Sequence, residues 1–164
     1  PNTDETRRPG EKPDELVRRL AEDKARDVAG RFPDALIIGS DQVACVNDDI
    51  LGKPGNRDNA ITQLTAASGQ AVTFYTGLCL YNAARDQVQV AVEPFVVRFR
   101  VLSPAQVERY VDQERPFNCA GSFKSEGFGS TLFSALEGRD PNALIGLPLI
   151  RLVEMLDRQG IFLP

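Results

Sequence analysis

Residues 36–46, LIIGSDQVACV, begin as an apolar run suited to a protein core and then carry Ser40, Asp41 and Gln42. A Ser-Asp pair after such a run often starts a turn. Here Val43 and Val46 resume the β pattern, which keeps Asp41 on the sheet or at its lip. A carboxylate held there needs a cation, because burying it alone is costly. A metal ion or a lysine would meet that need, and such a carboxylate is a candidate general base. Two lysines are candidates for that company. Lys24 lies at about 80° in the apolar arc of a helix when each residue is stepped by ~100° from Leu16, between Leu20 and Val17. Its alternative is a stem that covers apolar surface while the ammonium reaches water. Lys53, in the GKP at 52–54, is read either as a hairpin-flanking lysine or as a second cation near Asp41. Two lysines converging on one acid suit a polyphosphate substrate. Glu126 stands in GSFKSEGFGS and reads either as a solvated loop acid or as a ligand-facing carboxylate. That loop lacks the G-x-x-x-x-G-K-[ST] pattern of a P-loop. Asp4 and Glu5 are by default terminal charges.

Composition narrows the chemistry further. The 164 residues contain no histidine, which excludes a Ser-His-Asp triad, a Cys-His dyad and His-ligated zinc within this chain. Catalysis would rest on carboxylates, lysines and a hard metal ion bound through oxygen. A net charge of −4 offers no basic face for nucleic acid. No apolar run approaches the ~20 residues of a membrane span, and no signal peptide is visible. Cys45, Cys79 and Cys119 lack metal-ligand spacing and read as reduced thiols of a cytoplasmic protein.

The elements that must position these residues can be read in order. Residues 1–12 form a polar loop. A helix opens at Pro13 with Asp14 and Glu15 in its first turn. ALIIG (35–39) is a buried strand, and 43–53 form a hairpin turning near Asp48. Cross-strand partners would then have numbers summing to roughly 95–97, which brings Lys53 within two or three residues of the position opposite Asp41. A helix over 57–68 stops at Gly69, and a long strand covers 71–82 with Val72, Phe74, Leu78 and Leu80 on one side. VQVAV (88–92) and FVVRFRV (95–101) read as two strands separated by Pro94. Ser103 and Gln106 form a capping box for a helix to about Glu114. A glycine-rich loop spans 116–130, and TLFSAL (131–136) is a strand. A short helix, a break near Pro148 and a last helix ending at Gly160 complete the chain. The expected fold is a single α/β domain built as two lobes, with flanking helices on a mixed twisted central sheet.

Six fragments carry a resemblance: DETRRPGE (4–11), LAEDKA (20–25), IIGSDQV (37–43), GKP (52–54), SGQAVTFYTGL (68–78) and AGSFKSEGFGS (120–130). In this order they resemble the Maf nucleotide pyrophosphatase family, most of all its YceF-type branch, over essentially all 164 residues. The resemblance implies a fold like that of Maf and inosine triphosphate pyrophosphatases, with two lobes around a cleft. It implies Asp41 as general base, with Lys24 and Lys53 as catalytic lysines. Glu5 and Asp41 would serve a divalent metal (Mg, Mn or Co), and Ser40, Gln42 and Glu126 would bind substrate. The reaction implied is cleavage of a nucleoside triphosphate between the α and β phosphates. A carboxylate at Glu126 could accept hydrogen bonds from N1 and N2 of guanine and favour a base made cationic by N7 methylation, so 7-methyl-GTP is the expected substrate. A pyrimidine or other modified triphosphate, or a non-catalytic nucleotide-binding regulator linked to cell division, is the alternative. The resemblance further implies a cytoplasmic protein, commonly a homodimer, with no nucleic-acid or membrane partner. Family members begin with a strand and an S-x-S-x-x-R loop that grips the triphosphate. This sequence opens on Pro1 and reads like the middle of a protein, so that segment is expected upstream. Arg7 and Arg8 stand in the wrong context to replace it, and a chain without the loop should be poorly active.

Overall fold

The computed structural model describes residues 1–47 and 49–164. Five strands, β1 (Leu36–Val46), β2 (Asp49–Leu51), β3 (Ala71–Asn82), β4 (Gln87–Phe99) and β5 (Phe133–Gly138), form one sheet in the order β2-β1-β3-β4-β5. Both outer ladders, β1–β2 and β4–β5, are antiparallel. The helices are α1 (Pro13–Ala29), α2 (Arg57–Ala67), α3 (Pro104–Glu114), α4 (Pro141–Ile145) and α5 (Leu149–Asp157). This is the expected α/β class.

The chain divides into two compact units. The first comprises Pro1–Gln42, Tyr75–Pro94 and Arg139–Pro164, and the second Val43–Phe74 and Phe95–Gly138. In the first unit α1 starts where Pro13 supplies a preset φ, and Glu15 accepts the Lys12 N–H at 2.9 Å. Its Ala21 and Ala25 bury against Ile37, Cys79 and Tyr81. A second cluster joins Leu78 and Leu80 of β3 to Leu152 and Met155 of α5. In the second unit, three phenylalanines meet Phe123 edge to face: Phe74 at 5.3 Å, Phe99 at 5.6 Å and Phe133 at 4.9 Å between ring centroids. The Ser103–Gln106 capping box forms as read from the sequence.

The structure differs from the sequence reading in three places. The strand at 35–39 and the first arm of the hairpin are one strand, because residues 40–42 stay extended between partners on both faces. The β1–β2 register pairs Ala44 with Leu51, Cys45 with Ile50 and Val46 with Asp49, so partner numbers sum to 95. That ladder ends at Leu51, before Lys53, and Asp48 lies outside the described residues. The two strands separated by Pro94 are also one, β4. Its ladder with β5 begins at Phe95, one residue beyond the proline, so the missing N–H costs no β5 partner there. Finally, Thr131 and Leu132 belong to a 3-10 turn (Phe128–Leu132), which starts β5 two residues later than expected. Cys45, Cys79 and Cys119 are free thiols, the first two buried and the third half-buried. Burial pushes the Cys79 thiol up to about 12. Among the described residues no helix is long and apolar enough to cross a membrane.

Candidate active site

In the first unit, β1 alternates its side chains between two faces. Ile37 and Gly39 turn toward α1. A side chain at Gly39 would run into the Ala21 carbonyl and Ala25, so the absent Cβ lets the helix lie close to the strand. Gly77 of β3 does the same beneath the Val17 carbonyl. Asp41 continues the Gly39 face. Lys24 lies on the same side of α1 as Ala21 and Ala25, which explains its place inside the apolar arc. Its Nζ lies 2.6 Å from Asp41 Oδ1 and 2.8 Å from Glu5 Oε1. The Lys24 and Asp41 side chains are 18% and 13% exposed, so their charges are only partly screened by water. Burial pulls the Lys24 pKa down, but the hydrogen bonds that Lys24 donates to Asp41 and Glu5 outweigh it and hold the ammonium above the usual lysine value.

Glu5 reaches this cluster because the N-terminal arm is tied to α1. Arg19 bonds Glu11 Oε1 at 2.7 Å and the Thr6 carbonyl at 3.1 Å, and the Asn2 N–H donates to Asp27 at 3.0 Å. The Arg19 hydrogen bond holds the Glu11 carboxyl down at about 2. Glu5, by default a terminal charge in the sequence, thus stands on an anchored segment.

On the opposite face of β1, Ser40 and Gln42 look toward α4. Ser40 Oγ lies 2.9 Å from the Gly77 carbonyl and 2.8 Å from that of Gly146. Gln42 Nε2 lies 2.9 Å from Thr76 Oγ1, 2.7 Å from the Ala143 carbonyl and 3.2 Å from that of Leu144. Thr76 is fully buried and donates to the Ala143 carbonyl at 2.8 Å. The sequence reading missed Thr76. The signal was present: a hydroxyl in the even-numbered register of Val72, Phe74, Leu78 and Leu80.

Lys53 and Glu126 belong to the second unit. Lys53 is exposed between β2 and α2, and Glu126 is exposed in the turn before the Phe128–Leu132 segment, where Ser125 Oγ donates to it at 2.9 Å. Both act on the Cys119 thiol. Burial raises its pKa most, Lys124 and Lys53 pull it down, and Glu126 and Glu114 push it up. Within that unit, Lys53, Glu126, Lys124 and Glu114 therefore surround one half-buried residue with mixed charge. The Lys124 ammonium is tied to the Glu114 carbonyl at 2.9 Å, and the Lys124 N–H to Tyr110 Oη at 3.0 Å.

An acid on a strand facing a helix-borne lysine, in an α/β fold with this order of elements, defines a class that comparison also finds. The family model described as Maf-like protein matches residues 1–159, and the chain belongs to that family. Among its relatives, the 7-methyl-GTP pyrophosphatase of Alcanivorax borkumensis is 60% identical over 164 residues, covering 100% of this chain and 83% of that protein. The 7-methyl-GTP pyrophosphatase of Colwellia psychrerythraea is 56% identical over 161 residues, covering 98% of this chain and 80% of its own length.

Proposed function

We propose that this protein hydrolyses a modified nucleoside triphosphate, 7-methyl-GTP, to the monophosphate and pyrophosphate. The observation that carries the reading is the pairing of Lys24 with both Asp41 and Glu5 in a chain so similar to two proteins of that name. A carboxylate offers about four acceptor positions, so a bond to Lys24 leaves Asp41 capacity to orient a water. In the proposed reaction the water oxygen attacks the α-phosphorus, its proton passes to Asp41, and the bond to the β-phosphate oxygen breaks. Lys24 orients the carboxylate and offsets charge that develops on phosphoryl oxygens. Lys53 contributes a second positive charge toward the phosphates. Glu126 is the proposed reader of the base, its charge favouring the N7-methylated guanine cation over neutral guanine.

The residues fit a divalent cation of the Mg²⁺ type. Among the described residues no group of three or more potential ligand side chains exists, but the carboxylates of Glu5 and Asp41 both lie against the Lys24 ammonium, at 2.8 and 2.6 Å, and are the pair that would hold the ion. Such an ion commonly takes only one or two carboxylates and completes its shell with water and substrate phosphates. When bound, it would neutralise charge on the phosphate oxygens.

The test is pyrophosphate release from 7-methyl-GTP by the purified protein with Mg²⁺, Mn²⁺ or Co²⁺, compared with chelator. Asp41→Asn is expected to lower kcat by about 10²–10⁴-fold, the range of a general base. Wild-type protein that releases nothing from methylated or ordinary nucleotides would overturn the reading, and nucleotide binding indifferent to Asp41→Asn would favour a non-catalytic regulator. Glu126→Gln is expected to bring the kcat/KM for 7-methyl-GTP toward that for GTP while turnover persists. An unchanged ratio across a panel of purine and pyrimidine triphosphates would remove Glu126 from base reading.

A further inference from the structure

We infer that Gln63 and Asn59 of α2 are positioning residues for Lys53: with Ser122 they bracket the GKPG segment (52–55) and fix where its lysine is presented. The inference rests on the role given to Lys53 above, and every residue in it belongs to the second unit. Lys53 is exposed on a short link that has neither ladder nor helix of its own. The β1–β2 register ends at Leu51 and α2 begins at Arg57. Backbone polar groups on such a link must find partners elsewhere. Three hydrogen bonds supply them. Gln63 Nε2 donates to the Gly52 carbonyl at 3.0 Å, Asn59 Nδ2 to the Pro54 carbonyl at 2.9 Å, and the Gly55 N–H to the Phe117 carbonyl at 2.9 Å. Asn59 and Gln63 are four positions apart, so they share one face of α2 and reach carbonyls on either side of Lys53.

Gln63 is in turn held from behind, because its Oε1 accepts from Ser122 Oγ. The amide satisfies both contacts only in this orientation; the reverse would set its oxygen against the Gly52 carbonyl. Ser122 has no solvent exposure, and its φ of 63° places a residue with a side chain in the left-handed region. Such a conformation persists only where the surroundings over-determine it. Its neighbour Phe123 is locked among Phe74, Phe99 and Phe133, so Ser122 is a fixed post. Each end of the Gln63 amide is therefore engaged by protein. Gln63 ties the backbone before Lys53 to the buried start of the loop that carries Glu126, and Asn59 holds the backbone after it.

The test measures kcat/KM for 7-methyl-GTP, with thermal midpoints, in Gln63→Ala, Gln63→Glu, Asn59→Ala, Lys53→Ala and the double variant Gln63→Ala/Lys53→Ala. Alanine is the better helix former at both positions, so α2 is kept. Gln63→Ala is expected to lower kcat/KM about tenfold, the scale of a sub-ångström displacement of a catalytic group. Gln63→Glu should do the same, since a carboxylate still accepts from Ser122 but offers the Gly52 carbonyl no hydrogen. In the Lys53→Ala background, Gln63→Ala should change kcat/KM by less than about twofold, because the lysine through which it acts is gone. If Gln63→Ala does not fold, Asn59→Ala carries the same cycle. Should Lys53→Ala be too slow to assay, calorimetric Kd values for 7-methyl-GTP, measured in Asp41→Asn protein, carry it instead. Equal losses with and without Lys53 would mark Gln63 as structural only and overturn the inference. Activity unchanged in folded Gln63→Ala and Gln63→Glu overturns it too. Lys53→Ala with full activity removes the role of Lys53 and the bracket's with it, whereas wild-type protein with no turnover overturns the pyrophosphatase reading itself.

Discussion

Lys24 is the residue on which the site's charge balance turns. Its ammonium stands between the carboxylates of Asp41 and Glu5, and removing it would leave two like charges near each other, one of them largely buried. Lys24→Met is therefore expected to destabilise the fold by about 2 kcal/mol, between the ~1 kcal/mol of exposed ion pairs and the ~3 kcal/mol of buried ones. Adding Asp41→Asn should recover much of that loss, because the uncompensated charge goes with it. Urea denaturation of the two singles and the double measures this directly. Strict additivity would mean that Lys24 and Asp41 do not depend on each other.

At the scale of elements, the site depends on how closely α1 approaches the sheet. Gly39 and Gly77 accept backbone carbonyls of α1 where any other residue would place a Cβ. At Gly39 the obstacle is the Ala21 carbonyl, a backbone atom that cannot swing aside. Gly39→Ala is thus expected to cost about 1–3 kcal/mol, the usual range for overpacking. It should also lower kcat by lifting Lys24 from Asp41. A denaturant midpoint that does not move would show that α1 shifts freely on the strand. The same close approach explains why Lys24 could not be placed from periodicity alone. A lysine in an apolar arc is equally compatible with a stem reaching water, and only the partner strand distinguishes the two.

For the molecule as a whole, carboxylates held ionised by their surroundings set the acid limit of stability. Glu11 falls from an ordinary value of 4.5 to about 2 in the folded chain through its bond to Arg19. Burial opposes ionisation of Asp140, yet hydrogen bonds from the Ile150 and Asn142 N–H groups outweigh it and keep that carboxyl below its ordinary value. Both are depressed, so the unfolded chain binds more protons over this window. Their stabilisation is complete above the unfolded values and is lost as pH falls through the folded ones. Denaturation midpoints should therefore fall steeply from about pH 4.5 toward 2. The slope should be shallower in Glu11→Gln, which has no such proton to take up. Equal slopes would show that the Arg19–Glu11 pair contributes nothing to folding.

By itself the sequence indicated the α/β class, the helices, the antiparallel hairpin to within two residues of its register and the family, because periodicity, caps and turn residues act over a few positions. It also singled out Asp41 and Lys24, since a charge in an apolar pattern stands out locally. What it left open was which partner each charge finds. The anchored arm that delivers Glu5, the closeness of α1 at Gly39 and the hydrogen bonds of Gln42 and Thr76 to the α4 carbonyls join residues far apart in the chain. The Thr76–Ala143 bond spans 67 positions and the Ser40–Gly146 bond 106, separations over which local pattern carries no information. Only the tertiary structure decided these, because a carbonyl at the end of a short helix takes whichever donor the rest of the fold brings to it.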